Sequence, residues 1–63
     1  MEQLNNQLRK EVRLLKATKN IKYKEMIELL SISKSGFNQW INNYFNLTQE
    51  KLEEVQAMIE LYK

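Results

Sequence analysis

A near absence of helix-breaking residues is the feature that most limits how this chain can fold. In 63 residues there is no proline, and Gly36 is the one glycine. Turns therefore have to be made by serine and asparagine, and asparagine tolerates the left-handed backbone conformation best after glycine. Asn20 and Asn43 are placed where they could end helices in that conformation. Because no strand-like alternation of apolar residues occurs, the sequence predicts a compact all-α domain of four helices.

The length of the chain allows one domain, covering residues 1–63, with a small core. A chain of this size buries only roughly 60% of the surface that its unfolded form exposes. Cysteine and histidine are both absent, which leaves helix packing, a partner subunit or both as the source of stability. No apolar run approaches the ~20 residues of a membrane span, and no signal-peptide core follows the N-terminus. A soluble cytoplasmic protein is expected.

Periodic apolar residues predict a long first helix and a long last helix. The first covers residues 2–18, and its apolar face is formed by Leu4, Leu8, Val12 and Leu15. The last covers residues 48–62 with Thr48 as its cap, and its apolar face is formed by Leu52, Val55, Ile59 and Tyr62. In the loop before the last helix, either Tyr44 or Phe45 is expected to pack against the core.

Two short helices are predicted between the long ones. They cover residues 22–30 and 34–42 and are joined by a tight turn at 31–33. Ser33 is a good N-cap for the second short helix, whereas Lys22 stands where Ser, Thr or Asp would be expected for the first. Two short helices joined in this way form a helix-turn-helix, which places its second helix against a duplex.

Charge is distributed unevenly along the chain. Between positions 9 and 24, one acid, Glu11, stands against seven basic residues: Arg9, Lys10, Arg13, Lys16, Lys19, Lys22 and Lys24. From position 48 onwards four glutamates outnumber two lysines, and between positions 30 and 48 the one charged residue is Lys34. A polyanion could approach the basic part while the acidic last helix faces away. The alternative is that the basic run is a solvated surface.

From Val12 to Ile59 the chain resembles the Cro-like, xenobiotic-response-element (XRE) type of helix-turn-helix domain found in phage and bacterial repressors. The motif covers residues 23–41, and the segment SISKSGFNQWINNYFNLT is similar to the pattern of small members. Its buried positions are matched by Met26, Ile27, Leu30, Ile32, Phe37 and Trp40. Two positions depart from the pattern, because Ser31 replaces the usual turn glycine and Ile27 replaces a usually small residue. The resemblance implies a lambda-repressor-like fold that binds DNA.

By the same resemblance, the outward face of the third helix would read base edges. Its residues there are Lys34, Ser35, Asn38, Gln39 and Asn42. These residue types suit the task, because asparagine and glutamine pair bidentately with adenine and lysine bonds the acceptors of guanine. The alternative is an ordinary solvated helix face. Such a face would be expected to carry Glu and Lys, the better helix formers, so the lack of acids favours an interface.

Contacts to DNA phosphates are expected beside that helix, because phosphate contacts position such a domain and dominate its affinity. The candidates are Lys19, Lys22, Tyr23, Lys24, Asn43 and Asn46, with Lys34 as a further one. Arg9 and Arg13 lie earlier in the chain and are expected to contribute less.

Catalysis has little chemical basis in this sequence. His, Cys and Asp are absent, and no glycine-rich phosphate loop occurs. Glu53 and Glu54 are neighbours on a helix and therefore point apart. We expect no enzyme activity, no cofactor, no metal site and no small-molecule ligand.

The resemblance implies a transcriptional regulator, most simply a repressor from a phage or mobile element that acts on the nucleoid of a bacterial host. Repressors of this kind usually dimerise on half-sites one helical turn apart. Spare apolar residues for a homodimer are Leu4, Leu8, Leu14, Met58 and Leu61. Alternatively, the N-terminal extension, residues 1–10, which lengthens the first helix beyond the usual start of the family pattern, packs on the last helix within one subunit. A second function is also open: the same fold could bind protein, as an anti-repressor or an inhibitor of a host protein.

Overall fold

The computed structural model describes residues 2–62 and contains four helices. They are α1 (Glu2–Lys19), α2 (Tyr23–Glu28), α3 (Lys34–Ile41) and α4 (Gln49–Leu61). No strand occurs within residues 2–62, so the predicted all-α class with four helices is confirmed. Over the same residues, no helix combines the length and the apolar character needed to cross a membrane.

Asparagine ends two of the helices, as predicted from the lack of proline and glycine. Asn20 follows the last residue of α1 with a φ of 57°, and Asn43, two residues after the last residue of α3, has a φ of 68°. Both lie in the left-handed region, where a short polar side chain is tolerated better than a branched one. These two residues let the chain reverse direction without glycine.

The N-termini of the helices follow the predicted caps in part. The Ser33 hydroxyl accepts a 3.0 Å hydrogen bond from the Gly36 backbone N–H and so caps α3. Lys22 precedes α2, but an ammonium group cannot accept a hydrogen bond and so cannot cap the helix. Instead, the Glu25 carboxylate accepts a 3.4 Å hydrogen bond from the Lys22 backbone N–H. Thr48 occupies the N-cap position of α4 without making a side-chain cap hydrogen bond.

α2 is shorter than predicted, because its last turn tightens before residue 30. The backbone N–H groups of Leu29 and Leu30 donate to the carbonyl oxygens of Met26 and Ile27, three residues back, at 3.1 and 3.0 Å. Bonds of this spacing close a helix end and are common just before a turn. The helix therefore stops at Glu28, and Leu30 enters the core from the turn.

One core joins all four helices and the loops between them. Its buried apolar side chains are Leu8, Val12, Leu15, Ile21, Met26, Leu30, Phe37, Trp40, Ile41, Leu47, Leu52, Val55, Met58 and Ile59. Ile27 and Ile32 are partly buried and pack against this core. The apolar faces predicted for the two long helices are confirmed, with Leu4 and Tyr62 at their less buried ends.

The prediction for the loop between α3 and α4 is wrong. Tyr44 is 79% exposed and Phe45 is 40% exposed, whereas Leu47 is buried. The reason is local: after left-handed Asn43, the Tyr44 N–H bonds back to the Gln39 carbonyl at 2.9 Å, which turns both aromatic rings outward. Leu47 then reaches the core instead.

Two of the residues proposed for a dimer interface are not available for one. Leu8 and Met58 are both buried within their own chain, because α1 packs along α4 in the most extensive contact between helices. Leu4 is partly buried against the same core. Leu14 and Leu61 are exposed, Leu61 by 74%. Packing of the N-terminal extension on α4 within one subunit therefore accounts for Leu8 and Met58.

Candidate functional site

α3 has two contrasting faces. Phe37, Trp40 and Ile41 are buried. The outward side consists of the five polar residues predicted there, and all five are exposed: Lys34, Ser35, Asn38, Gln39 and Asn42. Spacings of three and four residues bring them to one side of the helix. The result is a solvent-facing surface with one cation, no carboxylate and several groups that both donate and accept hydrogen bonds.

The side-chain amides on this surface differ in whether they already make hydrogen bonds within the chain. The Asn42 amide Nδ2 donates to the Asn38 backbone carbonyl at 2.8 Å, so part of its hydrogen-bonding capacity closes the end of α3. The side chains of Asn38 and Gln39 make no hydrogen bond within residues 2–62 and point to solvent. A ligand could therefore use their full capacity without breaking an internal bond.

A chain of aromatic contacts holds the start of α2 against α3. The Tyr23 and Phe37 rings are 5.4 Å apart between centroids, and the Phe37 and Trp40 rings are 5.8 Å apart in an edge-on arrangement. The Lys16 ammonium nitrogen lies 4.3 Å from the centre of the Tyr23 ring. Such contacts stabilise a fold by about 0.5–1.5 kcal/mol each beyond burial. They fix the first turn of α2 beside the middle of α3.

The cations proposed to contact phosphate are accessible at this place. Lys22 and Lys24 flank Tyr23 and are exposed, as is Lys19 at the end of α1. Asn43 is exposed as well. The contact between the Tyr23 and Phe37 rings places the start of α2, where Lys22 and Lys24 lie, next to α3.

Two of the proposed phosphate contacts are partly occupied within the chain. The Tyr23 ring is half-buried between Phe37 and Lys16, which leaves its hydroxyl as the group that could reach a ligand. The Asn46 side-chain oxygen accepts a 3.0 Å hydrogen bond from Arg9. The Asn46 amide nitrogen is the group that could donate to an anion.

Arg9 has a structural role that its place in the basic run did not indicate. The side chain is only 4% exposed and lies 5.5 Å above the Trp40 ring. Its Nε donates to the Trp40 carbonyl at 2.6 Å, its Nη2 to the Phe45 carbonyl at 2.7 Å, and its Nη1 to the Asn6 side chain at 2.9 Å. Burial, and next the neighbouring Arg13 guanidinium, lower the pKa of Arg9 below its ordinary value.

Arg13 makes a second hydrogen-bonded contact between α1 and the end of α3. It donates from Nη2 to the Ile41 carbonyl, so two arginines of α1 bind carbonyl groups in the last turn of α3. Carbonyl groups at the end of a helix have no partner inside the helix and need one from elsewhere. α1 therefore holds α3 by its carboxyl end and leaves the outward face free.

A buried asparagine connects the same elements. The Asn5 side-chain oxygen accepts the Trp40 indole N–H and the Leu47 backbone N–H, both at 2.8 Å. The Asn5 amide lies 3.5 Å from the Leu47 carbonyl. Sequence reasoning missed this residue and the role of Arg9. The burial of Asn5 was predictable, because Asn5 precedes Leu8 by three residues and so falls within the apolar face of α1.

The turn between α2 and α3 is tied to α4. The Glu54 carboxylate accepts the Ser31 backbone N–H at 2.8 Å and the Ser31 hydroxyl at 2.7 Å. Lys51 donates to the Ser31 carbonyl at 3.0 Å and lies 3.6 Å from Glu54. The Ser31 backbone N–H, followed by its hydroxyl, lowers the pKa of Glu54. Serine at this turn position supplies a hydroxyl where the family pattern has glycine.

Among residues 2–62, no three His, Cys, Asp or Glu side chains are grouped in a way that could hold a metal ion. An open groove of about 460 Å³ lies beside the turn, with Ile32, Phe45 and Leu47 among its lining residues.

No family model, no curated protein and no solved structure matches this chain. The resemblance to XRE-type domains therefore rests on the residue pattern alone.

Proposed function

We propose that this chain is a sequence-specific transcriptional regulator that binds double-stranded DNA with α3 in the major groove. The observation that carries the proposal is the outward face of α3, which is exposed, free of acids and rich in amide and hydroxyl groups. Side chains of this kind can donate and accept at base edges in the major groove. A repressor of the Cro-like, XRE type from a phage or mobile element, acting on the host nucleoid, is the form we favour.

The exposed lysines next to α3 also support the proposal. Lys22 and Lys24 are exposed at the start of α2, which the contact between Tyr23 and Phe37 keeps beside α3. Lysines that flank a base-reading helix neutralise phosphates and supply most of the sequence-independent affinity. The glutamates of α4 lie outside α2 and α3. One of them, Glu54, accepts a hydrogen bond from Ser31 in the turn between those two helices.

A homodimer belongs to this proposal, because one short helix reads few base pairs and two-fold symmetric repressors bind two half-sites. The exposed Leu61 near the end of α4 is the main apolar residue available to a second copy, and Leu14 on α1 is another. Leu8 and Met58 are buried and take no part.

A second function, binding of a protein partner, is favoured by one observation. Phe45 is 40% exposed and lines the groove with Ile32 and Leu47, while Tyr44 beside it is 79% exposed. Aromatic residues are enriched in the buried centres of protein interfaces. Under this alternative the loop and the groove, rather than α3, would form the contact surface.

Selection of bound duplexes from a random pool tests the proposal. We expect an enriched sequence with two-fold symmetry, and an affinity for it that falls steeply as salt concentration rises. Lys24→Gln should weaken binding to all duplexes and reduce the salt slope by about 1. Lys10→Gln is the matched control, because Lys10 is an exposed lysine on the side of α1 opposite its buried face.

The two functions give different results. If no duplex is enriched and binding to DNA hardly changes with salt, the DNA-binding proposal is wrong. A partner whose binding is lost in Phe45→Ser, but not in Lys24→Gln, would then support the protein-binding function.

A further inference from the structure

The only two arginines of the chain are already engaged. Arg9 donates to the Trp40 and Phe45 carbonyls, and Arg13 donates to the Ile41 carbonyl. Arginine and lysine are the side chains that most often contact guanine in the major groove. Both guanidinium groups are bound at the carboxyl end of α3 and the loop after it, and the outward face of α3 carries no arginine.

The rest of the base-reading surface is also selective. Cytosine is read by carboxylates that accept from its amino group, and α3 carries no acid. Lys34, in the first turn, is the one residue of α3 whose charge suits the acceptors of guanine. Asn38 and Gln39, at the middle of the helix, present amides with no internal partner within residues 2–62.

We infer that α3 reads A·T base pairs, with Asn38 and Gln39 each pairing with one adenine. The inference rests on the proposed function and adds the base preference to it. Each amide would donate from its nitrogen to adenine N7 and accept from the adenine amino group with its oxygen. Asn42 is assigned no adenine, because its amide nitrogen already donates one hydrogen to the Asn38 carbonyl.

The experiment replaces single adenines of the selected duplex by 7-deazaadenine. This base lacks the N7 acceptor but keeps its Watson–Crick pairing and its minor-groove edge. We expect a loss of affinity of about 5- to 100-fold at one adenine read by Asn38 and at another read by Gln39, the range expected for a bidentate pair. Replacement at adenines outside the contact should change affinity little.

Variants assign each loss to a residue. In Asn38→Ala, 7-deazaadenine should no longer weaken binding at the first position while it still does so at the second. Gln39→Ala should show the reverse pattern. In Lys10→Gln, the control, both losses should persist. All three side chains are exposed, and circular dichroism checks that each variant keeps its helix content.

Two results overturn the inference, and they are distinguishable. If a duplex is bound specifically but 7-deazaguanine weakens binding where 7-deazaadenine does not, the base preference is wrong and the DNA-binding function stands. If no duplex is enriched at all, the proposed function fails, and the inference fails with it.

Discussion

The Asn5 side chain and the Trp40 indole form a buried hydrogen bond of 2.8 Å between α1 and α3. The same Asn5 oxygen also accepts the Leu47 backbone N–H, so one polar atom joins the first helix, the third helix and the loop that leads to the fourth. A buried network is stabilising only when its members are satisfied. Within residues 2–62, no buried side-chain nitrogen or oxygen lacks a partner.

Removal of the Asn5 side-chain oxygen should lower the free energy of unfolding. Asn5→Ala leaves the Trp40 indole N–H and the Leu47 N–H without an acceptor, and each buried unsatisfied donor costs about 1–3 kcal/mol. We expect urea denaturation to show a loss of about 2–5 kcal/mol in the free energy of unfolding. Gln3→Ala, on the exposed side of α1, is the control and should change it little. Equal midpoints for the two variants would contradict the assigned role.

Loss of Arg9 should loosen the carboxyl end of α3. Arg9→Met keeps much of the apolar side-chain volume but removes the donors to the Trp40 and Phe45 carbonyls. We expect a loss of about 2–4 kcal/mol in stability, since hydrogen bonds to charged groups contribute about 1.5–3 kcal/mol each and do not add fully. Amide hydrogen exchange at Asn42 and Asn43 should accelerate. In Lys10→Gln both quantities should stay at the wild-type level.

The hydrogen bonds from Ser31 to the Glu54 carboxylate should make the free energy of unfolding depend on pH. The pKa of Glu54 is lower in the folded chain than the ordinary value of 4.5, so the unfolded chain takes up a proton first as the pH falls. The contribution of Glu54 is therefore complete above that ordinary value and disappears as the pH falls through the folded pKa. The melting temperature of Glu54→Gln should lie below that of the wild type at neutral pH and converge with it in acid.

Glu53→Gln is the matched control for that experiment. Glu53 is the next residue on α4, is exposed, and accepts its hydrogen bond from Gln49 rather than from the turn. A difference from the wild type that is the same for both variants at every pH would show that the Ser31 contact is not responsible.

The proposed dimer depends on exposed leucine. Leu61→Glu places a charge on a side chain that is 74% exposed, so the fold of one subunit should be unaffected. We expect sedimentation velocity to show a dimer for the wild type and a monomer for this variant. Gln56→Glu adds the same charge at an exposed position of α4 and should remain dimeric. A wild-type monomer at high micromolar concentration would contradict the dimer.

Local features of the fold were predictable from the sequence. Asn20 and Asn43 end helices because asparagine adopts a positive φ more readily than other residue types except glycine, and Ser33 caps α3 through its own hydroxyl. The periodicity of the long helices reports burial directly. These signals act over a few residues, so they can be read without knowing the tertiary structure.

The contacts that position α3 could not be read in this way. Asn5 and Trp40 are 35 residues apart, and Arg9 and Trp40 are 31 apart. A run of basic residues on α1 does not reveal which of them turns inward. The choice of Leu47 over Tyr44 and Phe45 likewise depends on the direction of the chain after Asn43, which hydrophobicity alone does not indicate.

The position of Arg9 and Arg13 has an electrostatic consequence. The aligned peptide dipoles of a helix leave roughly half a negative elementary charge at its carboxyl end. Two guanidinium groups bind carbonyls in that region of α3, one of them shielded from water and thus weakly screened by salt. The two guanidinium groups therefore offset the negative pole of α3, although the helix itself contains a single lysine.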